Sequence, residues 1–187
     1  VNMYGLKDNV ARKARTMGKE ENKEMEFWTQ GEFQRFLECV ADKPISYYAF
    51  EMLYWTGIRE GELLALTPAD FNFEKKTLRI NKSYQRLEGE DVITDPKTPK
   101  SNRTIVMPDF LVIEMEDFIK SIYGIKMNDR IFTISKSYLH HEMDRGAKLA
   151  GVKRIRIHGL RHSHISLLIN LGFSALAIGE RVGHEAV

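Results

Sequence analysis

From Phe27 onward the apolar residues of this chain fall first into a helical rhythm. Phe33, Phe36, Leu37 and Val40 recur at three- and four-residue intervals, and Thr29-Gln30-Gly31-Glu32 before them has the form of a capping box. Asp42-Lys43-Pro44 interrupts the pattern. A more apolar stretch follows through Tyr47, Phe50, Leu53 and Tyr54 to Gly57, a residue type suited to a helix C-cap. A third helix is expected from near Arg59, carrying Leu63, Leu64 and Leu66 as far as Thr67-Pro68. The rhythm then changes to alternation. The segments 77–80, 91–94 and 103–106 are short and β-branched, with turn-like stretches between them, and predict a small three-stranded antiparallel sheet. Pro108 opens another amphipathic helix to about Tyr123-Gly124, and Arg130-Ile131-Phe132 reads as a brief extended piece. From Ser137 the chain is helical again, with breaks at Gly151 and at Phe173-Ser174. The expected fold is α+β: mainly helical, with one small sheet. Residues 1–26 are polar, mixed in charge and without periodicity, and read as an interdomain linker or arm. Residues 27–187 then form one domain.

Composition narrows the class. Hydrophobic residues at 43% and charged residues at 29% are the balance of a globular protein rather than a disordered one. No apolar run approaches the ~20 residues of a membrane span, which excludes a helical membrane protein and leads us to expect no membrane partner. The single cysteine, Cys39, cannot form an internal disulfide and fits a reducing, cytoplasmic setting. Lys and Arg number 28 against 26 Asp and Glu, so net charge alone does not announce a nucleic-acid binder. Distribution says more. The stretch from Arg145 to Arg161 carries Arg145, Lys148, Lys153, Arg154, Arg156 and Arg161 with no acidic residue among them. Such a run is an ordinary solvated face unless something beside it handles phosphate.

Two distant segments supply that something. Thr56-Gly57-Ile58-Arg59-Glu60-Gly61-Glu62 places an arginine at a helix start, just after a helix-terminating glycine. His158-Gly159-Leu160-Arg161 places a second arginine beside a histidine about a hundred residues later. Guanidinium forks are permanently charged, bidentate clamps for the oxygens of a phosphodiester as charge develops on phosphorus. Three histidines within seven residues (His158, His162 and His164) raise a metal site as a rival. Gly159 argues against a helix at His158, however, and no HExxH pattern, cysteine pair or carboxylate cluster completes a ligand set.

Four ordered motifs now stand together: TGIREGELLAL around Arg59, PKTPKSNRTIVMP around Lys97, HGLRHSH around Arg161, and GERVGHEAV with His184. Over residues 27–187 the chain resembles the tyrosine recombinases, or phage-type integrases. The KTPKSNRTI wording brings it nearest to the integrases of conjugative transposons. The resemblance implies a DNA breaking-rejoining domain that acts on double-stranded DNA without metal or other cofactor. It also implies a tetramer on DNA for the full-length enzyme, a monomeric fragment for these residues alone, and a bacterial, nucleoid-associated location.

Residue by residue, the resemblance implies that Arg59 and Arg161 are the two catalytic arginines and that Glu62 orients the first. Lys97 matches the general acid for the departing 5′ oxygen, with Lys100 a competing candidate. His158 matches the histidine that hydrogen-bonds the phosphate, and His184 the family's third basic or aromatic position. Lys100, Arg103, Arg145, Lys148, Lys153, Arg154 and Arg156 are expected to contact the DNA backbone. His162 is expected to pack beneath the site, and His140, His141 and His164 receive no role. One departure is large. The family's nucleophilic tyrosine lies about one helix beyond the position of His184, whereas all seven tyrosines here, the last being Tyr138, precede the site motifs. The chain is therefore expected to be truncated before the nucleophile. Two alternatives stay open: a DNA-binding fragment that does not cleave, and strand cleavage of the type IB topoisomerase kind.

Overall fold

The computed structural model describes residues 26–95 and 102–183. Its first helix, α1 (Gln30–Val40), starts where the capping box places it. Thr29 Oγ1 accepts from the Glu32 amide, and Glu32 Oε2 accepts from the Thr29 amide at 2.8 Å. The buried face of α1 carries Phe33, Phe36, Leu37 and Val40. Phe33 stacks on Tyr54, and Phe36 meets Phe50 edge-on, so α1 is fixed against α2 (Pro44–Thr56) by ring contacts. On its other side α1 meets α5 (Lys136–Ala150) through Gly146, where a Cβ would lie 2.4 Å from the Phe36 ring. Trp28 closes this end of the core. Its amide donates to Ser163 Oγ at 2.8 Å and its indole Nε1 to the Lys153 carbonyl at 2.7 Å.

α2 ends at Gly57, which takes the left-handed conformation (φ 65°) and donates to the Leu53 carbonyl. The short helix α3 (Glu60–Ala65) follows, then a 3₁₀ turn at Pro68–Asp70. Five strands come next among the described residues: β1 (Phe71–Asn72), β2 (Thr77–Ile80), β3 (Ser83–Leu87), β4 (Glu90–Thr94) and β5 (Arg103–Val106). They form two sheets. One is three-stranded and antiparallel in the order β1-β2-β5, with Thr77 opposite Val106 and Ile80 opposite Arg103. The other is the β3–β4 hairpin, with Ser83 opposite Thr94. A three-stranded sheet is present as expected, but the segment 91–94 is not one of its strands. Asp91–Thr94 pairs instead with Ser83–Leu87, a strand that pattern reading passed over, and the two-residue β1 takes the third place. The piece at 130–132 joins none of these strands.

α4 (Asp109–Ser121) packs on α2, and α6 (Ile157–Asn170) runs against α2 from the other side. The last helix, α7 (Ala175–Val182), lies against β5 and ends at Gly183, again left-handed (φ 67°). Among the described residues no helix is long and apolar enough to cross a membrane. The β3–β4 hairpin rests on α3 at Gly61, where a Cβ would come within 2.5 Å of Ser83 Oγ and 3.0 Å of the Tyr84 carbonyl. Helix α3, the hairpin and the starts of α5 and α6 thereby converge on one cleft.

Candidate active site

Arg59 stands at the N-cap of α3 with an extended backbone (φ −77°, ψ 153°). Glu62, three residues on, reaches back to it twice: Oε2 accepts from the Arg59 amide at 2.8 Å and Oε1 from Nη1 at 2.9 Å. The same carboxylate takes both arms of Arg103, at 3.0 and 2.9 Å. Glu62 is only 5% exposed. Burial works to raise its carboxyl, but hydrogen bonds and charge from Arg103, then from Arg59, prevail and hold it below the usual range. Arg103 is itself 8% exposed and spent on this pair. This corrects the expectation that Arg103 lies against DNA: it is an internal brace that fixes the residue orienting Arg59.

The last turn of α7 completes the arrangement. A helix end leaves its final carbonyls without intrahelical partners, and here three successive ones each receive a different arginine. The Arg181 carbonyl takes Arg103 Nε at 2.9 Å, the Val182 carbonyl takes Arg161 Nη2, and the Gly183 carbonyl takes Arg59 Nη2 at 3.3 Å. Arg59 and Arg161, 102 positions apart in sequence, thus end on adjacent peptide groups. Arg161 also donates Nη1 to the Gly57 carbonyl at 2.7 Å. It is 1% exposed, and its Nε has no partner among the described residues. Burial, with the nearby charges of Arg59 and Arg103, pushes its pKa down to about 10, so it remains a cation at neutral pH. Arg161 is accordingly not part of a solvated basic run.

The three histidines of this segment differ in their surroundings. The helix begins at Ile157 and runs through Gly159, contrary to the expectation that this glycine would break it. Absence of a side chain at Gly159 instead admits the Glu26 carbonyl, which a Cβ would approach to 2.9 Å. His158 is exposed at the helix start, with the His162 ring edge-on at 4.9 Å between centroids. His162 is half-buried. The fully buried histidine is His164, for which no role was expected: it sits under Gly57, where a Cβ would be 2.6 Å from the imidazole, and Nε2 accepts from Arg181 Nε at 3.0 Å. Burial and the Arg181 charge push its pKa down to about 3, so it is neutral. Among the described residues no group of three or more His, Cys, Asp or Glu side chains is gathered that could hold a metal ion.

Arg59 and His158 both line an open cleft of about 300 Å³, together with Ile58, Glu60, Gly61, Ser83, Lys136 and Ile157. Lys136, at the first position of α5, and Ser83, at the start of β3, carry no sequence signal of their own; only the packing of α3 on the hairpin brings them here. Glu60 is the one carboxylate among these lining residues. Burial raises its carboxyl above the ordinary range, against the pull of His140 and Lys136.

The basic run also resolves into separate fates. Arg145 is engaged by Glu142 and Asp42, at 2.7 and 2.8 Å from Nη2, and Arg154 by Asp144 at 2.6 Å. The stretch holds no acid in sequence, yet acids just before it and on the turn after α1 neutralise these two. Arg145, expected at the DNA backbone, is partly buried in its network, whereas Arg154, expected there too, forms an exposed surface pair with Asp144. Lys148, Lys153 and Arg156 are exposed, as is Arg154. Lys97, Lys100 and His184 lie outside the described residues.

Comparison with known proteins places this geometry. The family model described as "Phage integrase family" matches residues 26–187. The ICEBs1 integrase of Bacillus subtilis is 29% identical over 96% of this chain and 51% of its own length. The integrase of Staphylococcus phage L54a is 32% identical over 73% of this chain and 44% of its own. The chain spans about half the length of the relatives it matches. Among solved structures, the Tn1549 transposon integrase in complex with a circular intermediate DNA covers 96% of this chain and 63% of its own, with a TM-score of 0.77 and 21% identity. The XerA recombinase covers 86% and 55%, with a TM-score of 0.69 and 20% identity. The fold is shared with both.

Proposed function

Because the chain belongs to the phage integrase family, we propose that it is the catalytic domain of an enzyme of site-specific DNA recombination, one that integrates and excises a mobile element. One observation carries this reading: Arg59 and Arg161 end on adjacent carbonyls beside a cleft that holds Arg59 and His158. Two fixed cations and a histidine are what a phosphodiester undergoing substitution requires. In the proposed reaction a tyrosine hydroxyl attacks the scissile phosphate, giving a 3′-phosphotyrosyl link and a free 5′-hydroxyl. The 5′-hydroxyl of a partner strand then reverses the step. The bond energy stays in the phosphotyrosine, so no nucleotide hydrolysis is called for.

In this reading the arginines stabilise charge on the non-bridging oxygens, and His158 hydrogen-bonds the phosphate and helps take the tyrosine proton. Lys97 protonates the leaving oxygen, with Lys100 its rival, and His184 contacts a phosphoryl oxygen; these three roles rest on the motifs alone. The nucleophile lies outside these 187 residues, since the last tyrosine is Tyr138. The partner is double-stranded DNA, bound as a tetramer by the full-length enzyme, while this chain alone is a monomer. The setting is the bacterial cytoplasm at the nucleoid.

Absence of a tyrosine after the site motifs favours a second reading for the 187 residues taken alone, a domain that binds DNA without cleaving it. A nicked suicide duplex separates the two. A longer protein with a tyrosine beyond position 187 should become covalently linked to it. Arg59→Lys and Arg161→Lys should each lower that rate by ~10²–10³, because an ammonium cannot reproduce the planar fork. Near-normal linkage by either lysine variant would remove that arginine from the site.

A further inference from the structure

Glu60 is out of place in a cleft meant for phosphate. Its neighbours on the cleft wall are Arg59, Ser83, Lys136 and His158, and a fixed negative charge there opposes a polyanion. It is not drawn off by the arginines: Arg59 and Arg103 are both held by Glu62. Glu60 faces α5 instead, where His140 Nε2 lies 3.6 Å from Oε1, too long for a direct hydrogen bond. That oxygen is buried and accepts no hydrogen bond from the described residues. His140 is half-exposed and Lys136, one helical turn before it, is exposed. A buried acceptor left open beside His140 and Lys136 is an unfavourable arrangement unless those side chains have a second use.

Resting on the proposed reading of the chain as a DNA-recombining domain, we propose that Lys136 and His140 form an additional contact for a DNA phosphate next to the one held by Arg59. In the free protein Glu60 occupies the place of that phosphate. On binding, the DNA backbone replaces the carboxylate as the group that Lys136 and His140 face. Lys136 already lines the cleft, His140 stands one helical turn behind it, and Glu60 is left as the charge the complex must overcome. The charged and titratable groups near Glu60 are Arg59 on its own helix, Lys136 and His140 on α5, and His158 on α6, so the carboxylate is the only acidic group among them. Placing a carboxylate here weakens binding overall. It also keeps the cleft from holding stray anions, and the contact matures only on a ligand with more than one phosphate.

The test is binding of the 187-residue chain to a short fluorescent duplex, read by anisotropy at several salt concentrations. Glu60→Gln keeps the shape and removes the charge, and it should bind roughly fivefold tighter at low salt, with the gain shrinking as salt rises. Glu60→Ala should show the same direction, with an unchanged melting temperature showing that the fold is kept. Adding Lys136→Ala and His140→Ala to the glutamine variant should cancel the gain. If wild type binds and neither Glu60 variant binds more tightly, the placeholder role is overturned and the DNA reading stands. Failure of wild type and variants alike to bind would overturn the DNA reading, and this proposal with it.

Discussion

Glu62 shows how much of this site depends on a single carboxylate. It takes four hydrogen bonds from two arginines and is almost wholly enclosed. Removing one partner from such a buried pair leaves an uncompensated charge, which typically costs ~3–5 kcal/mol. We expect Glu62→Gln to lose stability of that order in denaturant titration, with Arg103→Met less damaging than the single loss of the carboxylate. The pH dependence has a definite sign. The folded protein holds this carboxyl below its ordinary 4.5, so its contribution is complete above that value. As pH falls toward the lower folded value the contribution drains away, and the glutamine variant should lack that part of the acid limb. The spacing of Arg59 and Glu62 made this pair legible in the sequence. Arg103 was not legible as a brace, because 41 positions and a strand register separate it from its partner. His164 was hidden for a similar reason: only the left-handed turn at Gly57 makes room for it.

At the level of elements, the helices were readable because local chemistry marks their ends. Thr29 with Glu32, Gly57, Gly151 and Ser174 all act where their residue types suggest. The sheet was less readable. β1 has two residues, and Ser83–Leu87 alternates too weakly and is too polar to stand out, so the pairing of β4 went to the wrong neighbour. A second hidden feature lies between α2 and α4. Glu51 is 4% exposed, and burial, with the nearby charge of Glu114, raises its carboxyl to about 8. A raised carboxyl binds its proton in the folded state where the unfolded chain has released it. Stability should therefore fall as pH climbs from about 4.5 to about 8. Glu51→Gln should melt above wild type at pH 8 and close to it at pH 4.5, by ~2–4 °C for each kcal/mol recovered. Equal melting shifts at both values would show that the packing of α2 on α4, rather than the proton, decides.

For the whole molecule, a net charge of +2 means that the proposed DNA binding depends on where the cations stand rather than on their total. Alanine at Lys148, Lys153 or Arg156 should lower affinity and reduce the salt slope by about one for each phosphate no longer neutralised. Alanine at Arg145 should leave that slope alone and lower stability, since its guanidinium ties α5 to Asp42. A common change in slope across all four would restore the undivided basic face. The charge pattern of residues 145–161 does not reveal these ion pairs in sequence, because their acids stand outside the stretch. The seating of α7 has a different kind of reach. Three arginines hold it by main-chain oxygens, which every amino acid possesses, so the attachment registers the phase of the helix rather than its composition. Its outer face, Ala175, Leu176 and Ala177, is free to drift. One residue inserted or deleted between 174 and 182 would turn the final carbonyls by about 100° and carry all three away from their arginines at once. In this protein α7 is a measured length, and the position of Gly183 follows from that count.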